Sequence, residues 1–191
     1  MPPEPSPFVA VFRSLDQAFS RAGTRWYLFG AQAALLYGAA RLTADVDVTV
    51  HLGATPVNRL VEALAHSGCV LRVSDPQFIE RTRVLPVVHR DTGILADVVL
   101  AGPGLEELFM SRARVHVVEE LSVPVARPED LIAMKVLAGR PKDLDDVRAV
   151  VAANRGTLDV AMIRDTLALI EGALGQSDLV PVFEELWNSR R

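Results

Sequence analysis

The stretch that most constrains this chain is Arg41 to Val50, R-L-T-A-D-V-D-V-T-V. Side chains alternate sides along an extended strand, so Asp45, Asp47 and Thr49 fall on one face and Val46, Val48 and Val50 on the other. The valine face is a core face. The acidic face has no explanation in local stability, because Asp is depleted in strands and like charges two positions apart repel. A hard divalent cation would remove that repulsion, and carboxylates about 7 Å apart along a strand are close enough to converge on one. The competing reading is a polar outer face on an edge strand.

Two neighbouring stretches bear on the choice. Upstream, W-Y-L-F-G-A-Q-A-A-L-L-Y-G is an apolar strand that meets a Gly-Ala turn at Gly30 and Ala31 and continues as an Ala/Leu-rich helix. A tight turn of that kind can lay backbone N–H groups against phosphate, although the turn alone also accounts for Gly30. Downstream, G-I-L-A-D-V-V-L-A-G is an apolar run interrupted by one acid, Asp97. A lone carboxylate in a buried strand needs a partner, and the inferred partner is the same cation.

Gly-Ala, then R-x-T-x-D-h-D (h, apolar), then h-D-h on a later strand, resembles the nucleotidyltransferase fold of the DNA polymerase β superfamily in its minimal bacterial branch. The segment P-E-D-L-I-A-M-K-V-L-A-G-R-P-K-D-L-D-D-V, Pro128 to Val147, is similar to the one that follows the core in relatives of AbiEii nucleotidyltransferase toxins. The resemblance implies an α/β (α+β) fold, a mixed sheet flanked by helices with a C-terminal helical part. It also implies Mg2+-dependent transfer of an NMP from an NTP to a hydroxyl, with ATP among the candidate donors. The implied acceptor is a tRNA 3′ end or a protein side chain, and the implied partner a cognate antitoxin of a toxin–antitoxin pair. Where the family usually has Gly-Gly or Gly-Ser, this chain has Gly30-Ala31, which loses a hydroxyl and some backbone freedom.

On this resemblance Asp45, Asp47 and Asp97 are the catalytic and metal-binding residues. Polymerase-type sites hold two ions about 4 Å apart, here two Mg2+ with Mn2+ as a substitute. Asp45 and Asp47 would bridge both, and Asp97 would serve the ion at the acceptor hydroxyl and take its proton. Gly30, Ala31, Arg41, Thr43, Lys135, Lys142 and Asp146 are the nucleotide-binding candidates. Several have plainer readings. Arg41 is equally a structural ion-pair donor, Thr43 a turn residue, and Lys142 with Asp143, Asp145 and Asp146 a solvated helix start. A nucleotidyltransferase-like binding module without catalysis and a transferase acting on an aminoglycoside-like small molecule remain the alternative functions.

With 191 residues the chain is long enough for a real core. We expect a Pro-rich leader at 1–7, a nucleotidyltransferase core at 8–127 and a helical region at 128–191. No apolar run approaches the ~20 residues that span a bilayer, and the start has neither basic nor apolar targeting regions. One cysteine, Cys69, excludes an internal disulfide and a cysteine-based zinc cluster, and the four histidines lack helical i, i+4 pairing. A cytoplasmic location and no membrane partner are expected. A net charge of -4 argues against broad nucleic-acid affinity while leaving room for a local basic groove.

Periodicity predicts helices at Phe8–Arg21, Ala31–Tyr37, from Thr55 to Gly68, and at Gly104–Met110. Four more are predicted from Pro128, Pro141, Asp159 and Leu179. Strands are expected at Arg25–Phe29, through Asp45, at Cys69–Val73, at Val115–Val118 and at Val123–Val125. Arg83–His89 and Ile94–Leu100 read as a hairpin around Arg90-Asp91-Thr92-Gly93, and Ser74–Phe78 as a loop.

Overall fold

The structure is a computed structural model that describes residues 6–40 and 43–189. The described residues form nine helices and one seven-stranded mixed sheet. They fall into two compact units, one drawn from residues 6–29 and 43–126, the other from residues 30–40 and 127–189. No described helix is long and apolar enough to cross a membrane.

The first unit holds the sheet, in the order β3-β4-β5-β2-β1-β7-β6. Its strands are β1 (Arg25–Phe29), β2 (Asp45–His51), β3 (Cys69–Leu71), β4 (Val84–His89), β5 (Leu95–Leu100), β6 (Arg114–Val118) and β7 (Leu121–Val125). β2 pairs in parallel with β5, and β1 with β7; the other neighbours are antiparallel. The expected hairpin is present as β4 and β5.

One face of this sheet is a continuous core. Trp26, Leu28, Val46, Val48, Val50, Leu85, Val87, Ala96, Val98 and Leu100 are all buried, as strict alternation along each strand requires. Helices α1 (Pro7–Ala22) and α3 (Val57–His66) cover it. Phe19 of α1 lies 5.4 Å from the Trp26 ring, whose N–H donates to Asp16 at 3.1 Å. His89, also on this face, is buried with hydroxyl partners at both ring nitrogens, Ser14 Oγ at 3.0 Å and Thr92 Oγ1 at 2.9 Å. A buried polar ring is tolerable only when satisfied in this way.

The Ser74–Phe78 stretch is not a loop. Pro76–Thr82 forms α4, and the Asp75 carboxylate caps it by accepting the Gln77 N–H at 3.0 Å. An Asp cap followed by Pro at the first helical position is a strong start signal. No residue of α4 is buried, so there was no apolar stripe to reveal the rest of the helix. On the opposite sheet face α5 (Leu105–Arg112) packs near β1 and β2, where Tyr27 and Thr49 are only 1% and 2% exposed.

The second unit is helical: α2 (Gly30–Leu36), α6 (Pro128–Ala138), α7 (Pro141–Asn154), α8 (Val160–Leu174) and α9 (Leu179–Asn188). Gly30 has φ +70° at the junction where β1 becomes α2, the left-handed region that only glycine enters without cost. The α2 helix packs on α6 and α7, and Asn154 Nδ2 donates to the Tyr37 carbonyl at 2.7 Å. Glu129 is buried in the first turn of α6, pairs with Arg127 at 3.1 Å, and accepts the Asp159 N–H at 3.1 Å. Arg164 of α8 holds Glu184 of α9 at 2.5 Å, which draws the Glu184 carboxyl below its ordinary range.

Candidate active site

β2 and β5 run parallel with Asp47 and Asp97 as direct partners. Partners in a parallel pair point to the same side, and neighbouring strands lie about 4.8 Å apart, so these two carboxylates stand side by side. Asp45 lies two residues before Asp47 and shares its face. All three of the expected carboxylates are therefore on the sheet face opposite the α1/α3 core. Asp45 is exposed, while Asp47 and Asp97 are half-buried.

A hydroxyl engages one of these carboxylates and a guanidinium another. The Thr43 hydroxyl donates to Asp45 Oδ1. Arg72, the residue after β3, donates through Nη2 to Asp97 Oδ1 at 2.9 Å, with side chains 36% and 44% exposed. Arg72 was not foreseen. Its N–H donates to the Pro86 carbonyl at 2.8 Å, and Pro86 is the β4 partner of Asp97, so one row across the sheet reads Arg72, Pro86, Asp97, Asp47, Phe29. The only sequence signal was a basic residue at the end of a predicted strand, and strand order was needed to place it. His51, on the same face at the far end of β2, pairs with Glu107 of α5 at 3.2 Å.

The donor set suits a hard cation: three carboxylates on one face, two of them adjacent and reachable from solvent. Among the described residues, however, no three His, Cys, Asp or Glu side chains are gathered tightly enough to enclose an ion. The backbone register fits the group; the Asp97 carboxylate, engaged by Arg72, would have to turn toward β2 to complete it.

The other nucleotide-binding candidates lie elsewhere in the chain. Gly30 and Ala31 begin α2, and Arg41 lies outside the described residues. Lys142 is exposed in the first turn of α7. Lys135 and Asp146 are engaged with each other: Lys135 Nζ, 5% exposed, donates to Asp146 Oδ2 at 2.7 Å and to Asp143 Oδ1 at 3.4 Å. Arg140 pairs with Asp143 from the outside. Two buried acids, one buried lysine and one exposed arginine cluster between α6 and α7.

A family model described as "Nucleotidyltransferase of unknown function (DUF6036)" matches residues 7–171. The chain belongs to that family. Among curated proteins no sequence relative matches. Solved structures that share the fold of this DUF6036 nucleotidyltransferase include the following three. One is ANT(2″)-Ia in complex with adenylyl-2″-tobramycin, with TM-score 0.58 and 14% identity over 88% of this chain and 99% of that one. Another is an antigenic nucleotidyltransferase-like protein from Paracoccidioides brasiliensis, with TM-score 0.55 and 16% identity over 91% and 90%. The third is the lincosamide antibiotic adenylyltransferase LnuA with lincomycin bound, with TM-score 0.52 and 12% identity over 76% and 96%. At such identities the likeness is one of fold.

Proposed function

We propose that this nucleotidyltransferase is catalytically active and moves an NMP from an NTP to a hydroxyl acceptor, releasing pyrophosphate, with two Mg2+ held by Asp45, Asp47 and Asp97. The observation that carries the reading is the in-register pairing of Asp47 with Asp97 on parallel strands, with Asp45 on the same face. When bound, the ions would offset charge on the attacking and departing oxygens and align the α-phosphate. Asp45 and Asp47, two residues apart on one strand, are the pair suited to bridging. Asp97, one strand further across the sheet, would receive the acceptor's proton. Thr43 orients Asp45 through its hydroxyl. Gly30 and Ala31 remain the proposed triphosphate turn.

The proposed acceptor is a tRNA 3′ end or a protein hydroxyl, in an AbiEii-like toxin role with a cognate antitoxin. A small-molecule hydroxyl is the second reading. The fold shared with a protein bound to adenylyl-2″-tobramycin and one bound to lincomycin favours it. Incubating the protein with each α-labelled NTP, Mg2+ and a cell lysate separates these outcomes: label in RNA, in protein, or in a small molecule. No transfer from any NTP would leave a nucleotide-binding module in place of an enzyme.

A further inference from the structure

The Arg72–Asp97 ion pair is a feature of this site that the proposed chemistry does not use. Arg72 approaches from the β3 side, across Pro86, and Asp47 stands on the β2 side of Asp97. The guanidinium therefore holds Asp97 on the side facing away from the other two acids. We propose that Arg72 is a positioning residue that competes with divalent cations for Asp97, so that Asp97 joins Asp45 and Asp47 only as it leaves Arg72. The proposal rests on the metal reading given above.

Two physical effects act in the same direction. Asp97 must exchange its bond to Arg72 for one to the ion, and a fixed positive charge beside a carboxylate ligand repels an incoming dication. The pair is over a third exposed, so solvent screens both effects. A partly exposed pair is worth up to about 1 kcal/mol, which as a binding ratio is about fivefold. Losing the guanidinium should thus tighten metal binding, the reverse of what a disrupted site would do.

The test titrates Mn2+, followed by electron paramagnetic resonance, into the full-length chain without nucleotide. Arg72→Gln and Arg72→Met should each bind Mn2+ about fivefold tighter than wild type. Arg72→Lys, which keeps the charge, should stay near wild type. Circular dichroism checks that each variant is folded, and two neutral replacements guard against one that is not. Unchanged or weaker Mn2+ binding in folded Gln and Met variants overturns the proposal. The Asp47→Asn arm separates the two levels of the argument. If wild-type binding depends on Asp47 but ignores Arg72, only the role of Arg72 falls. Should wild type bind no Mn2+, or bind it equally well in Asp47→Asn, the metal reading falls and the proposal with it.

Discussion

Replacing Lys135 with Met separates a structural role from a nucleotide-binding one. Lys135, Asp143 and Asp146 are 5%, 3% and 3% exposed, and Lys135 is bonded to both acids. Methionine fills most of the same volume and removes the charge. Arg140 can still serve Asp143, but the Asp146 partner at 2.7 Å is gone. Losing a hydrogen bond to a buried charged group costs about 1.5–3 kcal/mol. At 2–4 °C per kcal/mol for a chain of this size, the melting temperature should fall by roughly 3–12 °C. Trp187 in α9 reports this unit by fluorescence once the only other tryptophan, Trp26 in β1, is changed to Phe. In the same background Lys135→Met/Asp146→Leu should recover most of the loss, since an apolar pair of similar volume is a tolerated substitute for a buried ion pair. A Lys135→Met chain that melts within a degree or two of the parent while losing nucleotide affinity would refute the reasoning and return Lys135 to the triphosphate.

Asp47→Asn should reduce NMP transfer by about a hundredfold or more, the scale of losing a group that stabilises transition-state charge, while circular dichroism shows the variant still folded; a fully active variant would remove the proposed chemistry. Burial pushes the Cys69 thiol up from 9.0 to about 11, so its protonated form stabilises the fold below pH 9 and that contribution fades between pH 9 and 11. Ellman's reagent at pH 8 should therefore leave native Cys69 unlabelled and titrate one thiol in urea; rapid native labelling would contradict the burial. Asp75→Ala removes the cap of α4 and should cost about 1 kcal/mol, seen as faster hydrogen exchange of the Gln77 amide with no change in the β4 and β5 core.

Much of the fold was legible because its signals are local. Gly23 and Gly139 end helices at positive φ, and Gly38 follows the end of another, all where the glycines fall in the sequence. The alternation of Asp45, Asp47 and Thr49 with three valines fixed which face of β2 would be buried. What was not legible depends on pairing between distant segments. Arg72 reaches Asp97 only because β3 and β5 flank β4, an order that no periodicity encodes. Lys135 meets acids eight and eleven residues further on, across the break between α6 and α7, a spacing that no single helix produces. Likewise α2 clusters with the C-terminal helices through contacts such as Asn154 to Tyr37, 117 residues apart.

The row across the sheet shows how the fold accommodates acids that its strands disfavour. Proline is normally excluded from a central strand because it has no N–H for the ladder. Pro86 is tolerated in β4 because its carbonyl faces Arg72, so its missing N–H lies on that same side, just beyond the end of β3 at Leu71. The side of β4 that faces β5 keeps its register through Val84, Leu85, Val87 and Val88. A short rigid ring at this position also keeps the path across β4 low, and the Arg72 side chain crosses it to reach Asp97. The end of β3, the proline in β4 and the acid in β5 therefore act as one device. The edge strand β3 ends at Leu71, and the residue that follows it supplies the cation for the carboxylate two strands away.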